Sequence, residues 1–171
     1  MRAPAVFGPG DRETLAYFRP ASRGFALGPK LPQARLAMIH VADLAEALAL
    51  ALERPPPSGV YEIDDGKAGG YSHADMAEAA GAALGRRVRL LHIARWQIAP
   101  VGVMNAFRNS LAKGMGGAVQ ILTPGKVAEI FHPDWTVHDR RLAATIGFVP
   151  RYDLRSTFAE SIAWYRARYW L

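Results

Sequence analysis

The side chains able to do chemistry in this 171-residue chain are unevenly supplied. There is no cysteine, so disulfides and thiolate metal sites are excluded. The histidines, His40, His73, His92, His132 and His138, show no paired metal-ligand spacing on a helix, and no metal is expected. Arginine is abundant: 17 arginines against four lysines carry the formal net charge of +6. Such a charge serves nucleic acid, an acidic ligand, or solubility alone. Arg86, Arg87, Arg89 and Arg95 form the one dense cluster, and they fall where a helix is expected to end and a strand to begin. Cations there meet the negative end of the helix dipole, which favours a solvated surface. The remaining basic residues are dispersed without interleaved aromatics for base stacking, so nucleic acid is not an expected partner. Gly114, Gly116 and Gly117 read as a flexible joint, because no G-x-x-x-x-G-K-[ST] pattern follows a strand.

The elements that must position these groups are legible from punctuation. Leu36 to Val41 is a short apolar run, and Asp43 is expected to N-cap a helix from Leu44, with Glu46 as its capping-box partner. Leu44, Leu48 and Leu52, beside the small Ala45 and Ala49, would lie on a sheet until Glu53, Arg54 and Pro55 to Pro57 end the helix. Gly59 to Ile63 follows as a strand, which suggests a βαβ crossover in an α/β sheet, or, in a mixed domain, a first strand that belongs to a different sheet. Arg2 to Gly10 is a strand running into a Gly-Pro-Gly turn, and Asp11 caps a helix through about Phe18. Tyr71 to Gly85 is a helix with Ser72 at N-cap, Asp75 at N3 and Gly85 as terminator.

Val88 to Ile93 is a strand, and Trp96 to Lys113 a helix whose Trp96, Val103, Met104, Phe107 and Leu111 either line a pocket or pack as a second core on the sheet. Thr123 and Pro124 start a short helix, His132 to Trp135 is a turn, and Asp139 caps another helix closed by Gly147. Asp153 caps the last helix, with Leu154, Phe158, Ile162, Tyr165 and Tyr169 as its buried stripe.

Hydrophobic content of 50% in 171 residues is enough for one domain with a core. No apolar run approaches the ~18 residues needed to cross a bilayer, and Pro4, Gly8, Pro9 and Gly10 interrupt the place of a signal peptide. A cytoplasmic location and no membrane partner are expected.

Three landmarks in order carry a resemblance. They are RAPAVFGPGD at Arg2 to Asp11, then Ile39, His40, Val41, Asp43, Leu44 and Ala45, then Gly59, Tyr61 and Ile63; IGFVPRYDL at Ile146 to Leu154 agrees with them. The chain resembles the C-terminal half of the extended short-chain dehydrogenase/reductase family, the NAD(P)-dependent epimerases, dehydratases and reductases. The resemblance implies an α/β fold in which residues 1–66 are the last strands and helix of a Rossmann-type cofactor sheet and residues 67–171 a mainly helical substrate-side subdomain.

The family transfers hydride to or from a nicotinamide, using a tyrosine phenolate and a lysine from a Y-x-x-x-K turn. Here none of Tyr17, Tyr61, Tyr71, Tyr152, Tyr165 and Tyr169 has lysine four residues on, and no G-x-x-G-x-x-G follows a strand. No catalytic residue is therefore assigned. By the resemblance, Ala3, Pro4 and Val6 match the segment passing the nicotinamide, and Phe7, Arg12 and Arg35 face substrate. Ala3 stands where the family usually has proline and Phe7 where it often has tyrosine. Each assignment has a plainer counterpart, Pro4 and Val6 as buried strand, Arg12 and Arg35 as surface, and His40 as a packed core histidine. The family implies NAD or NADP in the full protein, none held by this chain alone. It also implies a small-molecule substrate and, as partner, a cofactor-binding half or a second copy. Two functions stay open: the substrate-binding portion of an oxidoreductase or epimerase, inactive alone, and a non-catalytic binding or assembly module derived from it.

Overall fold

The computed structural model describes residues 1–112 and 122–171. The Gly114 to Gly117 joint, and the side chains of Phe107 and Leu111, lie outside what is described.

Strand β1 (Ala5–Phe7) leads through the glycine turn into α1 (Arg12–Ser22), whose first amides bond to the Asp11 carboxylate as expected. Then come β2 (Phe25–Pro29), β3 (Arg35–Leu36), β4 (Met38–His40) and α2 (Val41–Glu53). After a long connection follow α3 (His73–Leu84), β5 (Arg89–Ile93), α4 (Arg95–Ala112), α5 (Pro124–Ile130), β6 (Asp134–Trp135), α6 (Arg141–Ile146) and α7 (Leu154–Ala167). The strands form three parallel two-stranded ladders, β1 with β4, β2 with β5 and β3 with β6. Among the described residues one bridge, Leu36 with Tyr71, is antiparallel, and parallel ladders joined by helices are those of an α/β fold.

Local signals were reliable where the partner lies a turn away. Ser72 and Asp75 form a reciprocal capping box, and Gly85 ends α3 in the left-handed conformation, which glycine adopts without a Cβ clash. Thr123 caps α5 with Pro124 at its first position, and Asp153 caps α7. Gly147 closes α6, but Asp139 sits one residue too early to cap it: its carboxylate takes the Arg141 amide and guanidinium, and Arg140 occupies the cap without a side-chain bond.

Three expectations are corrected. Asp43 does not cap α2. The helix starts at Val41, and the His40 Nδ1 accepts the Ala42 amide at 3.2 Å. Asp43 is instead fully buried, accepting the backbone amides of Arg151 and Tyr152 at 3.0 Å each, while Glu46 meets the Arg151 guanidinium at 2.6 Å. A carboxylate in a first helical turn is favoured by the dipole and can turn outward to bind other backbone.

Second, the leucine stripe of α2 is covered only at its start, where Leu44 packs against the cluster that includes Ile39 of β4. Leu48 is half-exposed and Leu52 is 83% exposed, and the buried positions are Asp43 and Ala47. Third, the Gly59 to Ile63 strand shrinks to one bridge between Glu62 and Arg2, because a single residue rather than a strand runs alongside it. Smaller differences follow: Asp134 and Trp135 pair with β3 as a strand, and Trp96, Val103 and Met104 are exposed rather than packed as a core or enclosed in a pocket. Tyr169 is 97% exposed, since α7 stops at Ala167 and the chain turns back, the Trp170 amide donating to the Tyr165 carbonyl.

The main core joins α1, α3 and α7 through Leu15, Phe18, Met76, Leu84, Phe158 and Tyr165. A smaller cluster joins β4, α2 and α6 through Ile39, Ala47, Ile63, Leu142, Ile146 and Phe148. His40 is buried between them, stacked on Tyr152 with centroids 3.8 Å apart and its Nε2 3.3 Å from Glu160.

Candidate functional site

A cleft of about 440 Å³ opens where the chain before β1 meets β3 and α5. Its floor is built of small apolar residues, Ala3, Ala5, Ala34 and Ala37, with Leu36 and Ile130. Polar groups enter from three elements: Arg35 from β3, His73 from the first turn of α3, and Lys126 with Glu129 from α5. His132 and Trp135 close one end, the rings tilted with centroids 4.6 Å apart.

Each wall is held by a local device. The Thr123 hydroxyl accepts the Lys126 amide and so fixes the start of α5. The Trp135 indole donates to the Glu129 carbonyl at 3.0 Å, tying β6 to α5. Leu36 exchanges both backbone bonds with Tyr71, and the Ala37 amide donates to the Trp135 carbonyl. Gly70 makes that crossing possible: its φ is +60°, and a Cβ there would stand 2.6 Å from the Leu36 carbonyl oxygen.

The cleft carries charge at two points. Arg35 spends part of its guanidinium on the carbonyls of Pro32 and Ala34, at 3.1 Å each, and remains exposed. Lys126 pairs with Glu129 at 2.7 Å, which offsets its charge. Burial, reinforced by the nearby His92, lowers the His73 pKa and favours a neutral imidazole able to donate and accept. Such a site can hold a small molecule with a polar or anionic group beside an apolar body.

Of the residues carried by the resemblance, Ala3, Pro4 and Arg35 meet in this cleft. The other three go elsewhere. Val6 is exposed on β1, Phe7 packs on Phe158 with centroids 5.8 Å apart, and Arg12 lies over the Trp170 ring at 5.4 Å. His73, Lys126, His132 and Trp135 were not expected in a site. The only signal in the sequence was their placement beside helix starts and a tight turn, which does not specify what they face.

Three of the tyrosines are shifted away from acting as a base. Burial pushes the Tyr165 phenol up to about 12 while it donates to the Asp11 carbonyl. Burial also raises the Tyr17 pKa, and burial with the Asp65 carboxylate raises that of Tyr71. A catalytic phenolate needs the opposite shift. With no glycine-rich cradle in the sequence either, the residues present do not fit a bound nicotinamide dinucleotide by themselves. Among the described residues no cluster of His, Asp and Glu could hold a metal ion, and no helix is long and apolar enough to cross a membrane.

No family model matches the chain. It is 33% identical over 171 residues to the ceramide reductase of Caulobacter vibrioides, a match covering all of this chain and 52% of that protein. The chain thus spans about half the length of this curated relative. Among solved structures, MoeE5 in complex with UDP-glucuronic acid and NAD superposes with a TM-score of 0.63 at 20% identity, over 98% of this chain and 46% of that one. The human epimerase family protein SDR39U1 with NADPH gives 0.63 at 20% identity, over 95% and 47%. The fold is that of Rossmann-type epimerases and dehydratases. Each of these matches takes in 95% or more of this chain and about half of the other protein.

Proposed function

We propose that this chain is the substrate-binding half of an NAD(P)-dependent oxidoreductase or epimerase, inactive without a cofactor-binding half that carries the dinucleotide cradle and the tyrosine–lysine pair. The observation that supports this reading is the meeting of Ala3, Pro4 and Arg35 in one cleft, two residues of the nicotinamide-side segment against one of the substrate side. Arg35 and Lys126 would take the polar part of the substrate, and the alanine floor its apolar part. The Caulobacter relative is named a ceramide reductase, which makes a ceramide-like molecule the first substrate class to try. Cytoplasmic location is part of the same proposal.

The test is complementation. The matching cofactor half of the Caulobacter relative is mixed with this chain, and NADPH oxidation is followed with a ceramide-type ketone. Turnover only with both halves, reduced at least tenfold by Arg35→Ala, is expected. Micromolar NAD(P) binding by the chain alone, seen by calorimetry, would count against it.

A second reading, an assembly module, has its own observation. Among the described residues β1 pairs on one side only, with β4, and Val6 on it is exposed, as are Val41, Leu48 and Leu52 of α2. Unpaired strand edges recruit other chains. Self-association in dilute solution, seen by light scattering, with residues 1–10 unprotected in hydrogen exchange until the copies pair, favours this reading. A stable monomer with those residues strongly protected excludes it.

A further inference from the structure

The acidic and basic residues are segregated along the chain in a way neither reading uses. No Asp or Glu stands between Glu13 and Asp43, and none between Glu78 and Glu129. These two acid-free segments contribute β2 and β5, which pair with each other in register. One face of the pair is covered: Ala26 is buried, and a Cβ on Gly28 would stand 3.2 Å from the His73 Cβ of α3.

The opposite face is open. Leu27 and Leu91 sit directly across from one another on it, each 47% exposed. Cations stand at both ends of this leucine pair. Arg89 is the register partner of Phe25 at one end. At the other, the Lys30 amide donates to the Ile93 carbonyl, two residues before Arg95 and three before the 75% exposed Trp96. Among the described residues no carboxylate pairs with Lys30, Arg89 or Arg95.

We infer that this face is a docking surface for an anionic lipid bilayer, with Leu27, Leu91 and Trp96 entering the interface and Lys30, Arg89 and Arg95 resting on the headgroups. The chemistry selects this partner. Half-exposed leucines with unpaired cations beyond both ends of the strand pair, and an exposed tryptophan beside one of them, match the apolar boundary and negative surface of such a membrane. A nucleic acid would match the charge but leave the two leucines in water, and a second copy would bring cation against cation. The surface is one of contact, and no span is involved. It concerns surface contact alone, which the lack of a spanning segment does not address, and it is independent of the oxidoreductase reading.

The test is sedimentation of the chain with vesicles of phosphatidylcholine mixed with phosphatidylglycerol, against vesicles of phosphatidylcholine alone. Binding to the anionic vesicles only, lost at about 1 M salt where the screening length falls to about 3 Å, is expected. Lys30→Gln, Arg89→Gln and Arg95→Gln should each weaken partition about fivefold, and the triple variant about a hundredfold. Leu91→Asp should abolish it. All these positions are exposed, and circular dichroism checks that the variants fold. The inference is overturned by equal binding to both vesicles, by no binding to either, or by a triple variant that binds like the parent. It is overturned equally by a Leu27- and Leu91-dependent dimer that excludes vesicles, or by retention on RNA in preference to them.

Discussion

Helices α2 and α7 read alike in the sequence and behave differently in the fold. Each shows an apolar residue about every fourth position behind an acidic residue near its start. On α7 that stripe is real: Leu154, Phe158, Ile162 and Tyr165 are buried against α1 and α3. On α2 the same spacing leaves Leu48 and Leu52 in solvent, and burial falls on Asp43 and Ala47 instead. Periodicity identifies an apolar face; it does not supply the element that covers it.

The contrast can be broken at its strongest point first. Phe158→Ala on α7 removes a ring that touches Phe7, Tyr17 and Phe18, with centroids between 4.9 and 6.0 Å, and should cost about 3 to 5 kcal/mol in urea denaturation. A smaller loss would mean that the main core is loosely packed there. Asp43→Ala should come next, at about 1 to 3 kcal/mol, because it strands the partly buried amides of Arg151 and Tyr152 and removes a fully buried carboxylate. Faster hydrogen exchange at those two amides would identify the tie; exchange changed only within the first turn of α2 would restore the capping role. Ser72→Ala, which removes a true cap, should cost about 1 kcal/mol.

A pH effect sharpens the α2 side further. Burial lowers the His40 pKa, so the unfolded chain takes up that proton more readily than the folded one. Stability is therefore complete above the ordinary histidine range and is lost as pH falls through it. His40→Gln should flatten the dependence of the thermal midpoint between about pH 8 and about pH 5. An unchanged slope would assign the effect to His73, whose pKa is also lowered. Smallest of all, Leu52→Ala should shift stability by no more than about 0.5 kcal/mol, and a larger loss would show that α2 is covered in solution.

What the sequence reveals divides by the distance between partners. Ser72 with Asp75, Thr123 with Pro124 and Gly147 at the end of α6 each complete their geometry within a few residues, so residue type alone announces them. Asp43 could not be read that way. Its partners lie 108 and 109 residues further on, and a carboxylate near a helix start has the same appearance whether it caps or reaches across. The site follows the same rule. Ala3, Pro4 and Arg35 were named through a resemblance, whereas His73, Lys126, His132 and Trp135 join them only through the pairing of β3 with β6 and of Leu36 with Tyr71.

That crossing at Leu36 also bears on the order in which the chain acquires its shape. Helices such as α3 and α7 hold their own caps and can form from local contacts within the search for the fold. Leu36, by contrast, must find Tyr71 and Trp135 from distant parts of the chain, and each pairing closes a long loop before any contact rewards it. The cleft walls are thus expected to be among the last features to consolidate. Slow steps in refolding should accordingly appear as delayed protection of the Leu36 and Tyr71 amides, after the helices are already protected.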